Sequence, residues 1–165
     1  MRDCAAERRL RGCRRIDMDE LPVLRRVCER VDPRLVDDDP RRDSDFVADA
    51  TEDRQFIHVD QEAAALTPFG GTIAHGFLSL SLLSRMGAEA MLVPEATKMA
   101  INYGLDRVRF LAPVRSGSRV RGRFTLDSVE EKPAGQILMR HNVTVDIDGE
   151  TKPALSAVWL TLVVV

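Results

Sequence analysis

From Asp43 to the C-terminal end, apolar residues recur first at helical spacing and then at strand spacing. The longest helical signal runs from about His75 to Val93 and stops at Pro94, which lacks the N–H that a helix interior needs. Phe77, Leu78, Leu80, Leu82, Leu83, Met86 and Met91 cover more than one of its faces. A helix apolar nearly all round is buried on several sides. At ~1.5 Å per residue it spans about 25 Å, the width of a small sheet. Strand patterns follow. Ile101, Tyr103 and Leu105 alternate with Asn102, Gly104 and Asp106. The phase then slips at Asp106-Arg107, a β-bulge signature, so that Val108 and Phe110 face inward. Val120, Phe124 and Leu126 alternate with arginines, and Val143, Val145 and Ile147 with Thr144, Asp146 and Asp148. Ala154 to Val165 is apolar without clean alternation, as expected of a strand buried on both faces or at an interface. Turns are predicted at Pro113 to Ser118, Lys132 to Gly135 and Asp148 to Lys152. One long helix and at least four antiparallel strands define an α+β domain, its sheet wrapped on the helix.

Upstream, Asp43 or Ser44 can cap a short helix through about Thr51 with Phe46, Val47 and Ala50 on one side. Phe56 to Val59 reads as a short extended piece and Gln61 to Ala65 as a helical turn capped by Asp60. Thr67 to Thr72 is a turn-rich connector. Residues 1–43 differ in kind. They hold 12 of the 24 basic residues, all arginine, 11 of the 26 acidic ones and all three cysteines. Val36 to Asp43 is charged and interrupted by proline. This stretch is expected to be an Arg-rich arm, either a poorly ordered extension or a partner-binding segment, attached to a domain at 44–165.

Composition narrows the function. The chain has 165 residues, 44% hydrophobic, enough for one core. A net charge of −2 gives no general attraction to nucleic acid. No apolar run approaches the ~20 residues of a membrane span, and no signal-peptide core is evident at the start. A soluble cytoplasmic protein is expected. Cys4, Cys13 and Cys28 are odd in number and widely spaced, with no histidine nearby, which fits neither a zinc site nor a disulfide framework.

The chemistry concentrates between Asp53 and Ser84. Asp53 precedes His58 by five residues; a Gly-rich turn follows, then His75-Gly76 at the start of the long helix. A carboxylate and an imidazole form an acid/base pair, and a helix start offers free N–H groups to developing negative charge. Each residue also has a plainer use. Asp53 can end a helix, His58 can be a satisfied half-buried imidazole, and His75 can hydrogen-bond across the turn. Ser84 can bond its own i−4 carbonyl. His58-Val59-Asp60 lacks further ligands for a metal, and no metal is expected. Arg107, Arg109, Arg119, Arg121 and Arg123 form a basic stripe. It is either a solvated face or a landing site for phosphates, which arginine suits.

Together these motifs resemble the MaoC-like dehydratases, the R-specific enoyl-CoA hydratase family of the hotdog superfamily. The residues that carry the resemblance are Asp53 with His58 and Asp60, Pro68 to Gly76, Ser84, Ile101 to Gly104, Arg107 to Phe110 with Pro113-Val114, and Gly117 to Val120. The last run is similar to the nodulation-protein-N-like branch. The resemblance covers about residues 43–165. It departs at the start: members begin with an N-terminal strand, and residues 1–43 do not read as one.

The resemblance implies a hotdog fold and a site in which Asp53 and His58 share the acid/base work around one water. It implies that the Gly76 amide binds the thioester oxygen and that Ser84 and His75 line the site, with Arg107 and Arg109 candidates for CoA phosphates. The implied activity is hydration of a 2-enoyl-CoA, or dehydration of a (3R)-hydroxyacyl thioester on CoA or acyl carrier protein. The implied protein is a homodimer with no cofactor beyond the CoA of its substrate. Two other classes remain open. A thioesterase on this fold wants a carboxylate near the central helix, which here has no acid before Glu89. A non-catalytic acyl-CoA-binding module would not need Asp53, His58 and Gly76 together.

Overall fold

The computed structural model describes residues 15–16, 27–32 and 40–165. A five-stranded antiparallel sheet carries the domain. Its strands are β2 (Val27–Asp32), β4 (Met99–Phe110), β5 (Val120–Lys132), β6 (Gln136–Ile147) and β7 (Leu155–Val164), in the order β2-β5-β6-β7-β4. A short parallel pair joins β1 (Arg15–Ile16) to β3 (Val93–Pro94). The helices are α1 (Pro40–Thr51), α2 (Phe56–Val59), α3 (Gln61–Ala65) and α4 (Gly76–Ala90).

The long helix α4 lies across the sheet, the hotdog arrangement. Leu83, Met86 and Ala90 of α4 pack in one core with Phe124, Val143, Val145, Ala157 and Trp159. Each of the large side chains here contributes about 1.5–3 kcal/mol by leaving water. Close approach is written into Gly87: a Cβ there would stand 2.6 Å from the Trp159 ring. The sheet side is regular. Val120, Phe124, Val143, Val145 and Ile147 are all buried, while Arg121, Arg123, Thr144 and Asp146 between them keep part of their surface. β7 runs between β6 and β4, and Leu155, Ala157, Trp159 and Leu160 are buried. This explains its missing alternation.

Four expectations change. Phe56 to Val59 is a helical turn, not an extended piece: the Asp60 amide donates to the Phe56 carbonyl at 2.9 Å. Four residues are too few for periodicity to distinguish the two. The long helix ends at Ala90, because Val93–Pro94 is taken up by the pairing with β1. The short helix α1 starts at Pro40, earlier than the Asp43/Ser44 cap. Residues 1–43 do contain a strand, since β2 pairs with Val120 to Thr125 at the sheet edge. Its six residues place Glu29 between Val27 and Val31 on one face and Arg30 between Cys28 and Asp32 on the other, so no clean apolar alternation marks it. The expected character of the rest of the arm, and of Cys4 and Cys13, lies outside the described residues.

Strand β4 carries the expected slip between Asp106 and Arg109, with Arg107 at φ 52°. An additional slip between Asn102 and Gly104 was not foreseen. It puts Asn102 where it accepts from Trp159 Nε1 at 2.6 Å. Ile101 and Tyr103, expected to face inward, are exposed, as is half of Phe110.

Candidate active site

The candidate residues converge at the N-terminal end of α4. α1 closes at Thr51, and Glu52 adopts a left-handed φ of 60°, turning the chain sharply into Asp53. The turn is held by hydrogen bonds from Asp53 N to Thr51 Oγ1 (3.3 Å) and from Arg54 N to the Glu52 carbonyl (3.1 Å). α2 then carries His58 inward, where it is 9% exposed. Asp60 stops α2 and caps α3, its Oδ1 accepting from the amides of Glu62 and Ala63 at 3.0 Å each. This cap was predicted.

The connector that follows is pinned from two sides. Ile73 N donates to the Ile57 carbonyl (2.9 Å), Ala74 N to Val114 (2.8 Å) and Ser116 N to Thr72 (2.9 Å). The Thr72 hydroxyl donates to Gln61 Oε1 at 3.0 Å and stands 2.9 Å from Ser116 Oγ. Gly71, at φ 156°, sits so close that a Cβ would lie 3.1 Å from Gln61 Nε2. Thr72, Gln61 and Ser116 were not singled out from sequence. Hydroxyl and amide contacts between turns leave no periodic signal.

Two imidazoles meet between these segments. The His58 Nδ1 nitrogen lies 2.7 Å from the Ile73 carbonyl and His75 Nε2 lies 3.0 Å from the Asp53 carbonyl. A carbonyl only accepts, so each of these nitrogens is the donor, and in a neutral ring the other nitrogen keeps a lone pair. The rings stack with centroids 3.9 Å apart and planes 26° from parallel. A carboxylate oxygen of Asp53 and a ring nitrogen of each histidine all lie within 4.8 Å of one another. His75 is buried, and its Nδ1 has no hydrogen-bond partner among the described residues. Such an orphan costs about 1–3 kcal/mol. Three ligand-type groups suggest a metal centre that the sequence reading did not consider.

Gly76 opens α4. Its N-cap residue His75 makes no side-chain cap bond, and the first turn contains no acidic residue, so amides of that turn remain available to a ligand. Phe110 lies directly over Gly76: a Cβ there would meet its ring at 3.2–3.3 Å. Phe77 stands edge-on to Phe110 at 6.1 Å. This aromatic wall was not anticipated, although Phe110 belongs to the motif Arg107 to Phe110. Ser84 is not gathered with the pair. It is exposed on α4 with no hydrogen bond among the described residues, and the i−4 bond expected of it occurs instead at Ser81, which donates to Phe77 (2.8 Å).

The basic stripe divides. Asp146 pairs with Arg121 (3.7 Å) and Arg123 (2.5 Å), and Asp148 lies 3.9 Å from Arg119. Arg107 makes no ion pair among the described residues and borders a groove of about 310 Å³ with Arg123, Asn142, Thr144 and Ser156. Arg109 turns back to the Val108 carbonyl (2.8 Å).

Residues 29–147 match the family model described as a MaoC like domain. The chain belongs to the MaoC-like dehydratase family. It is 54% identical over 120 residues to Nodulation protein N of Rhizobium leguminosarum bv. viciae, covering 72% of this chain and 74% of that protein. It is 51% identical over 110 residues to 3-hydroxyacyl-thioester dehydratase Z of Mycobacterium tuberculosis, covering 67% and 72%. Its fold is similar to that of an (R)-hydratase from A. caviae involved in PHA biosynthesis, with a TM-score of 0.67 at 20% identity over 84% of this chain and 94% of that one. Among its relatives, dehydratase Z carries the name of a hydro-lyase, and no helix among the described residues is long and apolar enough to cross a membrane.

Proposed function

We propose that the protein is an (R)-specific 2-enoyl-CoA hydratase, equally a (3R)-hydroxyacyl thioester dehydratase, with Asp53 and His58 as its acid/base pair. The observation that carries this reading is the meeting of the Asp53 carboxylate and the His58 ring beside the uncapped start of α4. Named relatives among the dehydratases support it.

In hydration, water attacks C3 and gives up a proton to one member of the pair. The other member delivers a proton to C2, and the product leaves with both. Each transfer is worth roughly 10²–10⁴-fold. Charge that builds on the thioester oxygen is met by the Gly76 amide and the positive end of the α4 dipole. Dehydration runs the same steps backwards. No electrons are exchanged, so the reaction calls for no redox cofactor. Only His58 and His75 among the nearby groups offer nitrogen ligands, and the proposed mechanism assigns no step to a metal. CoA enters as part of the substrate, with an acyl carrier protein thioester as the alternative carrier. A cytoplasmic homodimer is the proposed working form, consistent with the exposed Met99, Ile101 and Tyr103 along edge strand β4.

The test is crotonyl-CoA hydration followed by ultraviolet absorbance, on wild type, Asp53→Asn and His58→Ala. We expect wild-type activity and losses of at least ~10²-fold in both folded variants. Release of free thiol would reassign the protein to the thioesterases. A folded wild type inert on short and medium enoyl-CoAs would leave the acyl-binding role.

A further inference from the structure

We propose that His75 is a positioning residue that holds the Asp53 and His58 groups in register with the Gly76 amide. The inference rests on the function proposed above for that pair. One N–H of His75 is donated to the Asp53 backbone at 3.0 Å, and one face of its ring lies on His58 at 3.9 Å. Its own carbonyl accepts from Ser79 in the first turn of α4 (3.2 Å), and the next residue is Gly76 itself. A single side chain therefore touches both halves of the pair, and its backbone sets the helix start.

The particular residue type matters. Only a flat ring with an N–H at its edge can make both contacts at once. Asn or Gln supplies the donor without the stack, and Phe supplies the stack without the donor. Among the described residues, the hydrogen bond that holds the His58 ring is the one to the Ile73 carbonyl. Stacking supplies the second constraint, fixing the plane in which the free His58 lone pair points.

The test uses the full chain and two substitutions that each keep half of the contact, His75→Gln and His75→Phe. Each is measured by thermal unfolding, by kcat and KM on crotonyl-CoA, and by long-range ¹H–¹⁵N NMR of the His58 ring. Misplacing a reacting group by about 1 Å costs on the order of 10²-fold. We expect both variants to fold and to lose roughly 10- to 100-fold in kcat, with KM within about threefold. We also expect the single Nδ1–H tautomer of His58 in wild type to give way to a mixture in His75→Gln. Wild-type kcat in both variants overturns the inference, as does a loss confined to KM or one that merely follows a fall in Tm. An inert wild type would sink the proposed function instead. In that case the His58 tautomer decides, and an unchanged signal in both variants overturns the positioning role.

Discussion

His141 makes a sharp stability prediction, because it is a base buried where its charged form has nothing to meet. It sits on β6 opposite Leu126 on one side and Trp159 on the other, with Met139 and Val143 as same-face neighbours along the strand. None of these carries charge. The side chain is 2% exposed, and its Nδ1 has no hydrogen-bond partner among the described residues. Burial lowers its pKa from 6.5 to about 4. The folded protein therefore refuses a proton that the unfolded chain accepts. Above pH 6.5 both states are neutral and nothing is lost. As pH falls below 6.5 the unfolded state gains protons first, so stability falls, and the loss levels off below about pH 4. The full difference is about 3 kcal/mol at 1.36 kcal/mol per unit. Between pH 7 and pH 5 a single site with these values loses about 2 kcal/mol. That is a large share of the roughly 5–15 kcal/mol that holds a typical domain.

The assay is urea unfolding of wild type and His141→Leu at several pH values from 7.5 to 5. Carboxylates titrate in both proteins, so only the difference between the two curves reports His141. We expect that difference to grow by about 2 kcal/mol in favour of the variant as pH falls from 7 to 5. Parallel curves would refute the reasoning. They would mean that His141 finds a partner or water on protonation, and that burial is not what governs it.

Three further predictions concern other parts of the structure. Gly76→Ala forces its new Cβ to within 3.2 Å of the half-exposed Phe110 ring, which can swing away. We expect little change in Tm but roughly a tenfold fall in kcat, partly recovered when Phe110→Ala is added, because the cost falls on the amide's position. Asp60→Ala removes the cap shared by the amides of Glu62 and Ala63. It should cost about 1 kcal/mol in urea unfolding. Arg107→Ala should raise KM for CoA thioesters roughly threefold to tenfold without changing kcat, an effect that shrinks with added salt. Arg119→Ala, whose guanidinium lies 3.9 Å from Asp148, should leave KM alone. Equal behaviour of the two arginine variants would remove Arg107 from any phosphate contact.

What could be read from sequence was local and periodic. The faces of α4, the paired strands β5 and β6, the Asp106-Arg107 slip and the Asp60 cap all follow from spacing within one element. What escaped was short, exposed or mediated by backbone. α2 has four residues, too few for a period to show, and the edge strand β2 has Glu29 and Arg30 interrupting its apolar positions. The second slip in β4 is marked only by Gly104, and glycine has several uses in a strand. The candidate site divides in the same way. Asp53, His58, His75 and Gly76 were visible because the chemistry restricts residue type. Their geometry was not, because the bonds that set it end on the carbonyls of Ile73 and Asp53, and any residue supplies a carbonyl.

That division explains why Pro113-Val114, some forty residues beyond His75, belongs with the site in sequence. Neither side chain is needed to touch the pair. The Val114 carbonyl accepts from Ala74, and Ser116 donates to the Thr72 carbonyl, so this stretch splints the connector that ends in His75-Gly76. The bridge between Ile73 and Arg115 completes the splint. Ile73 in turn offers its carbonyl to His58 and its amide to Ile57. The turn after β4, the connector and α2 therefore form one hydrogen-bonded strip, with the two stacked imidazoles along it. Proline suits the head of such a strip, since it fixes φ without needing an amide partner. A loosened strip would move His58 and Gly76 together. Pro113→Ala, which leaves the buried Val114 side chain in the core, is therefore expected to lower kcat on crotonyl-CoA at an unchanged Tm.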